Sequence, residues 1–546
     1  MSCGRELTSS GSRHGQRRIE GWLLDIYPRK GQMTLWIRTR DGCVRLSDPW
    51  QRHLYVSGPP QALADLAHRL GASGASYEKR RVRLQDWGPA DVLKVPVNSS
   101  RGASALAEKI LRLGGYAKFQ LYNVDIPPDQ MYLYQKGLFP LAYTEAWEGD
   151  RVKWRVLDSV EDIDYQTPPL TSLELRVEAG TSRLPRLQDP LRRIILQTPG
   201  EEVVIDAGDE EGKLLALCEA VRRLDPDVIT TRGGNAFTLP YLARRAAENQ
   251  VEGRFILGRE EAPTRPAPPG GASYFSYGRV YYRPRAARIL GRLHVDLESS
   301  PLYPSCGLEG IIEVSRVCRM PLQRAVNSTI GSVMTSLQMY HAVRSGLLIP
   351  WRKTEAEEFK TARELLLADR GGFIYEPRIG AHDDVWEIDF ASLYPMIMMR
   401  RNISPETVSC TCCPDSPHRV PELGTPICQR RRGFIPSLLE LLIRKRLDYK
   451  RMRDAAPDEG LRTVYDRRQA ALKWILVTCF GYLGFRNASF GKIDAHIATC
   501  AFARDVLVRA SRLAEERGFQ ILHGIVDCLW LKKPGSDPGD LDELCA

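Results

Sequence analysis

The feature that most constrains this chain is an acid set between apolar runs, met twice and far apart. Trp386-Glu-Ile-Asp389 is a short β-prone run ending on a carboxylate, and Phe390-Ala-Ser392-Leu393-Tyr394-Pro-Met-Ile follows with helical character. That puts Asp389 at the end of a strand, facing a cleft. An Asp at a strand-to-helix turn is ordinarily a helix N-cap, so the position alone leaves cap and ligand open. Phe519-Gln-Ile-Leu-His523-Gly524-Ile525-Val526-Asp527-Cys-Leu-Trp-Leu reads as two β-prone runs around a second acid. A charge amid so much apolar sequence needs a partner, most simply a metal ion.

Between them lies Arg467-Arg468-Gln-Ala-Ala-Leu-Lys473-Trp-Ile-Leu-Val477-Thr-Cys-Phe480-Gly481-Tyr482. Its pattern is helical, and its cations, with Lys473 five and six residues after Arg468 and Arg467, read as roughly one face suited to a polyphosphate. In this order and spacing the three segments resemble motifs A, B and C of family B DNA polymerases, and most of all a reduced archaeal second-paralogue branch with eroded motifs. Motif A is nearly intact. Motif B keeps Lys473, Phe480 and Gly481 but has Val477 where the family has Asn. In motif C the first Asp of Tyr-Gly-Asp-Thr-Asp is replaced by Ile525 and the second is retained as Asp527.

The resemblance implies an α+β multidomain fold: a β-rich N-terminal domain, an RNase H-like exonuclease-type domain, palm and fingers. It implies that Asp389 and Asp527, with the Phe390 carbonyl, hold two Mg2+ ions. It also implies that Ser392, Leu393, Tyr394, Arg446 and Lys473 bind the nucleotide. Tyr394 would lie under the sugar and exclude a 2′-hydroxyl, though a core aromatic reads equally well from the residues alone.

A length of 546 residues calls for several domains. The net charge of +10 suits a polyanion such as primer-template DNA. No apolar run reaches the roughly 18 to 20 residues of a membrane span, and the first 19 residues lack the apolar core of a signal peptide. A soluble cytoplasmic protein with no membrane partner is expected. The 13 cysteines are mostly scattered, as reduced thiols are.

In chain order the expected division is a flexible basic tail over 1–19, an N-terminal domain over 20–165, an exonuclease-like domain over 166–305 and a helical connector over 306–368. The palm with motif A and a Cys-rich loop follows over 369–430, the fingers over 431–488, and the palm with motif C over 489–546. The Pro/Gly-rich 262–271 stretch reads as a surface loop. Gly371-Gly372 resembles the Tyr-x-Gly-Gly element of the family, with Asp369 at the Tyr position. The family's thumb has no counterpart before Ala546, so it is expected to be missing or truncated here, and a separately encoded thumb or a replication partner is a further expectation.

Where the family's exonuclease has Asp-x-Glu, this chain has Arg176-Val-Glu178, and where it has Phe-Asp there is Phe237-Thr238. That chemistry needs two metal ions about 3.5–4 Å apart on several carboxylates. A cation and a hydroxyl at Arg176 and Thr238 cannot balance that charge, so the domain is expected to fold without cutting.

Cys410-Thr-Cys412-Cys413 and Cys428 flank His418. Four sulfurs and an imidazole could make a tetrahedral zinc site, but the spacing is irregular, and a disulfide or free thiols read at least as well. Arg430-Arg-Arg-Gly433 then opens a helix bearing Arg444, Lys445, Arg446, Lys450 and Arg451, most of them expected on a solvated face. Arg446 differs by resemblance, matching the triphosphate-binding Arg of the family's fingers. The expected function is a DNA-templated DNA polymerase of low activity and without proofreading, serving repair or lesion bypass. The alternative is a catalytically inactive paralogue that binds DNA or a replication partner.

Overall fold

A computed structural model describes residues 17–71, 74–97, 102–180, 185–265, 270–276, 279–353 and 356–546. Most of the expected 1–19 tail, and 266–269 of the Pro/Gly-rich stretch, lie outside the described residues. Arg18 and Ile19 belong to no tail, because they begin the strand Arg18–Arg29. The chain parts into two compact units, Met1–Gln51 with Pro127–Ser300 and Arg319–Asn327, and Arg52–Ile126 with Pro301–Cys318 and Ser328–Ala546.

In the first unit, Leu23, Leu24, Ile26 and Tyr27 bury the long strand Arg18–Arg29. It pairs antiparallel with Gln32–Arg38 on one side and Tyr143–Trp147 on the other. A second five-stranded sheet runs in the order Glu202–Ile205, Leu191–Gln197, Ser172–Ala179, Val228–Thr231 and Leu293–Asp296. The last two join it in parallel, as a crossover through helices permits. Leu214, Leu217 and Val221 of the helix Glu210–Leu224 meet Leu173, Leu175, Ile194 and Leu196 of the sheet in one core. Asp209 caps that helix, its carboxylate accepting from the Gly212 N–H. This is the α/β pattern expected of the exonuclease-like stretch.

The second unit carries the candidate site. Ile374–Tyr375, Gln520–Ile525, Cys528–Lys532 and Val385–Asp389 form a four-stranded antiparallel sheet in that order. Phe519, Ile521, Leu529 and Leu531 pack its inner face against Leu507 and Ala514 of the helix Ile493–Glu516. Beside it the helices Phe434–Asp454 and Glu459–Gly484 form a hairpin, the second capped by Asp458, which accepts from the Leu461 N–H. Both lean on the helix Tyr303–Cys318 through charges. Lys445 Nζ lies 2.7 Å from Glu313, Tyr449 donates to Glu313 at 2.8 Å, and Arg468 reaches Glu309 at 3.1 Å. Lys445 and Glu313 are wholly buried. Lys445 therefore does not sit on a solvated face, because a buried carboxylate requires its charge there.

Residues 52–126, expected within one N-terminal domain, group with the second unit. The cause is a seam of hydrogen bonds: the Asn123 N–H donates to the Ile349 carbonyl, Asn123 Oδ1 accepts from the Ile349 N–H, and the Trp351 N–H donates to the Leu121 carbonyl. Residues 319–327 of the expected connector group with the first unit, where the Gln323 side chain brackets the main chain of His294. No helix among the described residues is long and apolar enough to cross a membrane.

Candidate active site

Asp389 ends its strand opposite Cys528. The helix that follows, Leu393–Arg400, has Ser392 at its N-cap position, in the left-handed region at φ 57° and with no side-chain cap. Asp389 is three residues too early to cap it, so the N-cap alternative falls away. The hairpin Gln520–Ile525/Cys528–Lys532 turns through Val526 and Asp527. Val526 takes φ 54°, a strained conformation for a β-branched residue. The Val526 N–H donates to the Phe373 carbonyl at 2.9 Å and the Phe390 N–H to the Asp527 carbonyl at 2.8 Å, so neighbouring segments hold the turn.

Asp389 and Asp527 open onto one cleft of about 430 Å³, lined also by Tyr394, Arg446, Lys473 and Val477. Burial, and then the charge of Asp389, push the Asp527 carboxyl above its usual range. Two like charges facing one cavity are the arrangement a divalent cation relieves, and an all-oxygen donor set suits Mg2+. Across the cleft Arg446 Nη1 donates to Ser392 Oγ at 2.8 Å. Its Nε is buried without a hydrogen-bond partner, and burial works against its charge. Phe390, Ser392 and Leu393 line the same cleft, so every polymerase-site residue expected from sequence borders it.

Tyr394 forms the floor. Its ring lies 4.3 Å from that of Phe480, which stacks on His496 at 4.2 Å. Burial pushes its phenol up to about 12. Gly372 abuts the turn beside it: a β-carbon there would stand 2.7 Å from Val526 Cγ2 and, at ordinary contact distance, 3.4 Å from the Tyr394 hydroxyl.

Two details differ from expectation. The cations of the helix Glu459–Gly484 do not share a face, because Lys473 lines the cleft while Arg468 is buried against Glu309. Lys450, grouped with the solvated run, also lines the cleft. Its signal was present in the sequence, since it stands four residues after Arg446 and so on the same helical face.

In the first unit Glu178 is ion-paired with Arg193 at 3.0 Å, and Arg176 lies 3.9 Å from Glu174 and 4.0 Å from Glu202. Thr238 is buried at the end of a π-helical turn, Gly234–Thr238. Asp296 accepts from the N–H groups of Gly233 and Asn235 and from Ser299 Oγ. Among the described residues no group of three carboxylate, imidazole or thiol ligands assembles in this unit.

One such group does assemble in the second unit. The sulfurs of Cys410, Cys412, Cys413 and Cys428 all lie within 4.8 Å of one another. His418 is exposed and outside the group, because its carbonyl rather than its ring faces the loop, accepting from the Ile427 N–H.

Residues 321–530 match the profile of DNA polymerase family B. DNA polymerase 2 of Saccharolobus solfataricus is 34% identical over 246 residues, 45% of this chain and 36% of that protein. A DNA polymerase of Archaeoglobus fulgidus is 24% identical over 96% of this chain and 72% of its own length. The chain thus spans 36% of the first relative and 72% of the second. The family B DNA polymerase of Pyrobaculum calidifontis superposes with a TM-score of 0.74 over 96% of this chain and 76% of its own, at 24% identity, a likeness of fold.

Proposed function

We propose that this chain, similar in sequence and fold to archaeal family B DNA polymerases, extends a DNA primer on a template in its cleft, slowly and without proofreading. The observation that carries this is the convergence of Asp389, Asp527, Arg446 and Lys473 on one cavity from four separate elements. In the reaction the primer 3′-hydroxyl oxygen gives up its proton to solvent and bonds to the α-phosphorus of a deoxynucleoside triphosphate. The bond to the bridging oxygen breaks, and pyrophosphate leaves with the electron pair.

Two Mg2+ ions, when bound, would stabilise charge on the attacking and leaving oxygens. Asp389, Asp527 and the Phe390 carbonyl are the oxygens that would hold them. Arg446 would exchange its bond to Ser392 for the triphosphate, joined by Lys473 and Lys450. Tyr394, backed by Phe480, would bear on the sugar. With Arg176 and Thr238 at the exonuclease positions, a mismatched 3′ end would not be removed, a property suited to repair or lesion bypass.

A second reading, an inactive paralogue that binds DNA, is favoured by Ile525, which is 37% exposed where a carboxylate would stand. Primer extension with Mg2+ beside an Asp389→Asn control separates the two. Template-directed extension that the control lacks is expected, with no shortening of a mismatched primer. Extension equal to the control, with primer-template still bound, defeats the polymerase reading.

A further inference from the structure

The four-cysteine cluster lies outside the cleft, and its geometry is specific. Cys412 Sγ is 3.6 Å from the sulfurs of both Cys413 and Cys428, and those two are 3.9 Å apart. Four thiolates at about 2.3 Å around a tetrahedral zinc ion stand about 3.8 Å from one another. A disulfide would instead bring one pair to about 2.05 Å. Amide N–H groups of Gln429 and Arg430 point at Cys413 Sγ, as donors do toward a thiolate that ligates a metal. Arg430, Arg431 and Arg432 follow Cys428 after one residue, Gln429, so the segment leaving the cluster is basic.

The cluster is also tied to the start of the helix Phe434–Asp454, which bears Arg446. Gly433 at the N-cap offers no side chain, so a loop at 402–406 supplies the cap. Glu406 Oε1 accepts from the Phe434 N–H at 2.6 Å, Ser404 Oγ from the Ile435 N–H at 3.2 Å, and Asn402 Oδ1 from the Gly433 N–H at 2.7 Å. Cys428 is bonded into that loop at both ends: its N–H donates to Thr407, and its carbonyl accepts from Asn402 Nδ2. On the other leg Ser409, beside Cys410, donates to Pro426. The sulfurs thus close the two legs on each other where they brace the helix.

We propose that Cys410, Cys412, Cys413 and Cys428 bind one zinc ion, which locks the loop that caps the Arg446 helix. The site holds whether or not the cleft extends primers, so it stands or falls apart from the polymerase reading.

The full chain, purified under reducing conditions without added metal, should carry one zinc ion by elemental analysis and keep it through dialysis against EDTA. Cobalt exchanged into the site should give the intense visible bands of a tetrahedral thiolate complex. Cys413→Ser/Cys428→Ser should lose the metal, melt at a lower temperature and become open to proteolysis between 408 and 428. If that variant does not fold, Cys410→Ser with weakened zinc retention serves in its place. A chain with negligible metal and all four thiols open to a thiol reagent when folded overturns the proposal. So does the mass of a disulfide within the cluster, or an iron charge-transfer spectrum.

Discussion

The main-chain N–H of Phe390 donates to the carbonyl of Asp527 across 2.8 Å, one residue beyond the first acid of the cleft and at the second. The two strand ends are joined where both acids line the cavity, so the placement of Asp527 against Asp389 depends on how the Val526-Asp527 turn is held. Gly372 faces that turn.

Gly372→Ala should therefore act on the site more than on the fold. The added β-carbon would stand 2.7 Å from Val526 Cγ2, and the turn must yield because the Val526 N–H is tied to Phe373. Overpacking of this kind costs about 1–3 kcal/mol, and a displacement of ~1 Å in a reacting group can slow chemistry about a hundredfold. Single-turnover extension is expected to fall by at least about tenfold while the thermal midpoint moves by only a few degrees. A rate equal to that of the unaltered chain would mean that the turn does not set the geometry.

Val477→Asn tests the eroded motif in the opposite direction. Val477 is 59% exposed and lines the cleft, so its replacement removes no core contact. One recovered hydrogen bond of about 1–1.5 kcal/mol corresponds to about a tenfold gain in kcat/KM for the incoming nucleotide. Steady-state kinetics over a nucleotide titration reads it, and an unchanged kcat/KM would show that the amide absent at Val477 does not limit nucleotide use.

Lys445→Met should be one of the most destabilising single changes in the second unit. The ammonium is wholly buried 2.7 Å from Glu313, and Lys445→Met removes that charge from a buried carboxylate that also accepts from the Tyr449 hydroxyl. Breaking a buried pair from one side costs about 3–5 kcal/mol, whereas replacing both partners with apolar groups is often near neutral. Urea unfolding should record that loss, and Lys445→Met/Glu313→Leu should restore most of it. Equal losses in the single and the double variant would count against the pair.

These residues also mark what the sequence made legible. Asp389 and Asp527 stood out because each interrupts apolar, β-prone sequence, and the sheet brings those runs side by side. Lys445 was misread because it adjoins Arg446 in one run of charge. A helix turns about 100° per residue, which carries Lys445 away from the cleft to a carboxylate more than a hundred positions earlier in the chain. The same rotation separates Arg468 from Lys473, since five residues leave about 140° between them. The cysteines looked irregular because the contact that unites them is the pairing of Val408 with Ile427, which no local spacing encodes.

In the first unit a buried imidazole gives stability a pH dependence. His294 is inaccessible to solvent, and its Nε2 lies 2.8 Å from Thr231 Oγ1. Burial pushes its pKa from 6.5 down to about 4, against the opposing pull of the Asp296 carboxylate. The folded state then takes the proton only below about 4, whereas the unfolded chain takes it below 6.5. Stability from this group is flat above 6.5 and is lost as pH falls toward 4, up to about 3 kcal/mol. His294→Gln can keep a hydrogen bond to Thr231 but has no proton to gain. Its unfolding free energy should decline less steeply from neutral pH to about 4 than that of the unaltered chain, while carboxylate titration, common to both, cancels in the difference. Parallel declines in urea titrations across that range would show that the imidazole is not the group whose charging destabilises this unit.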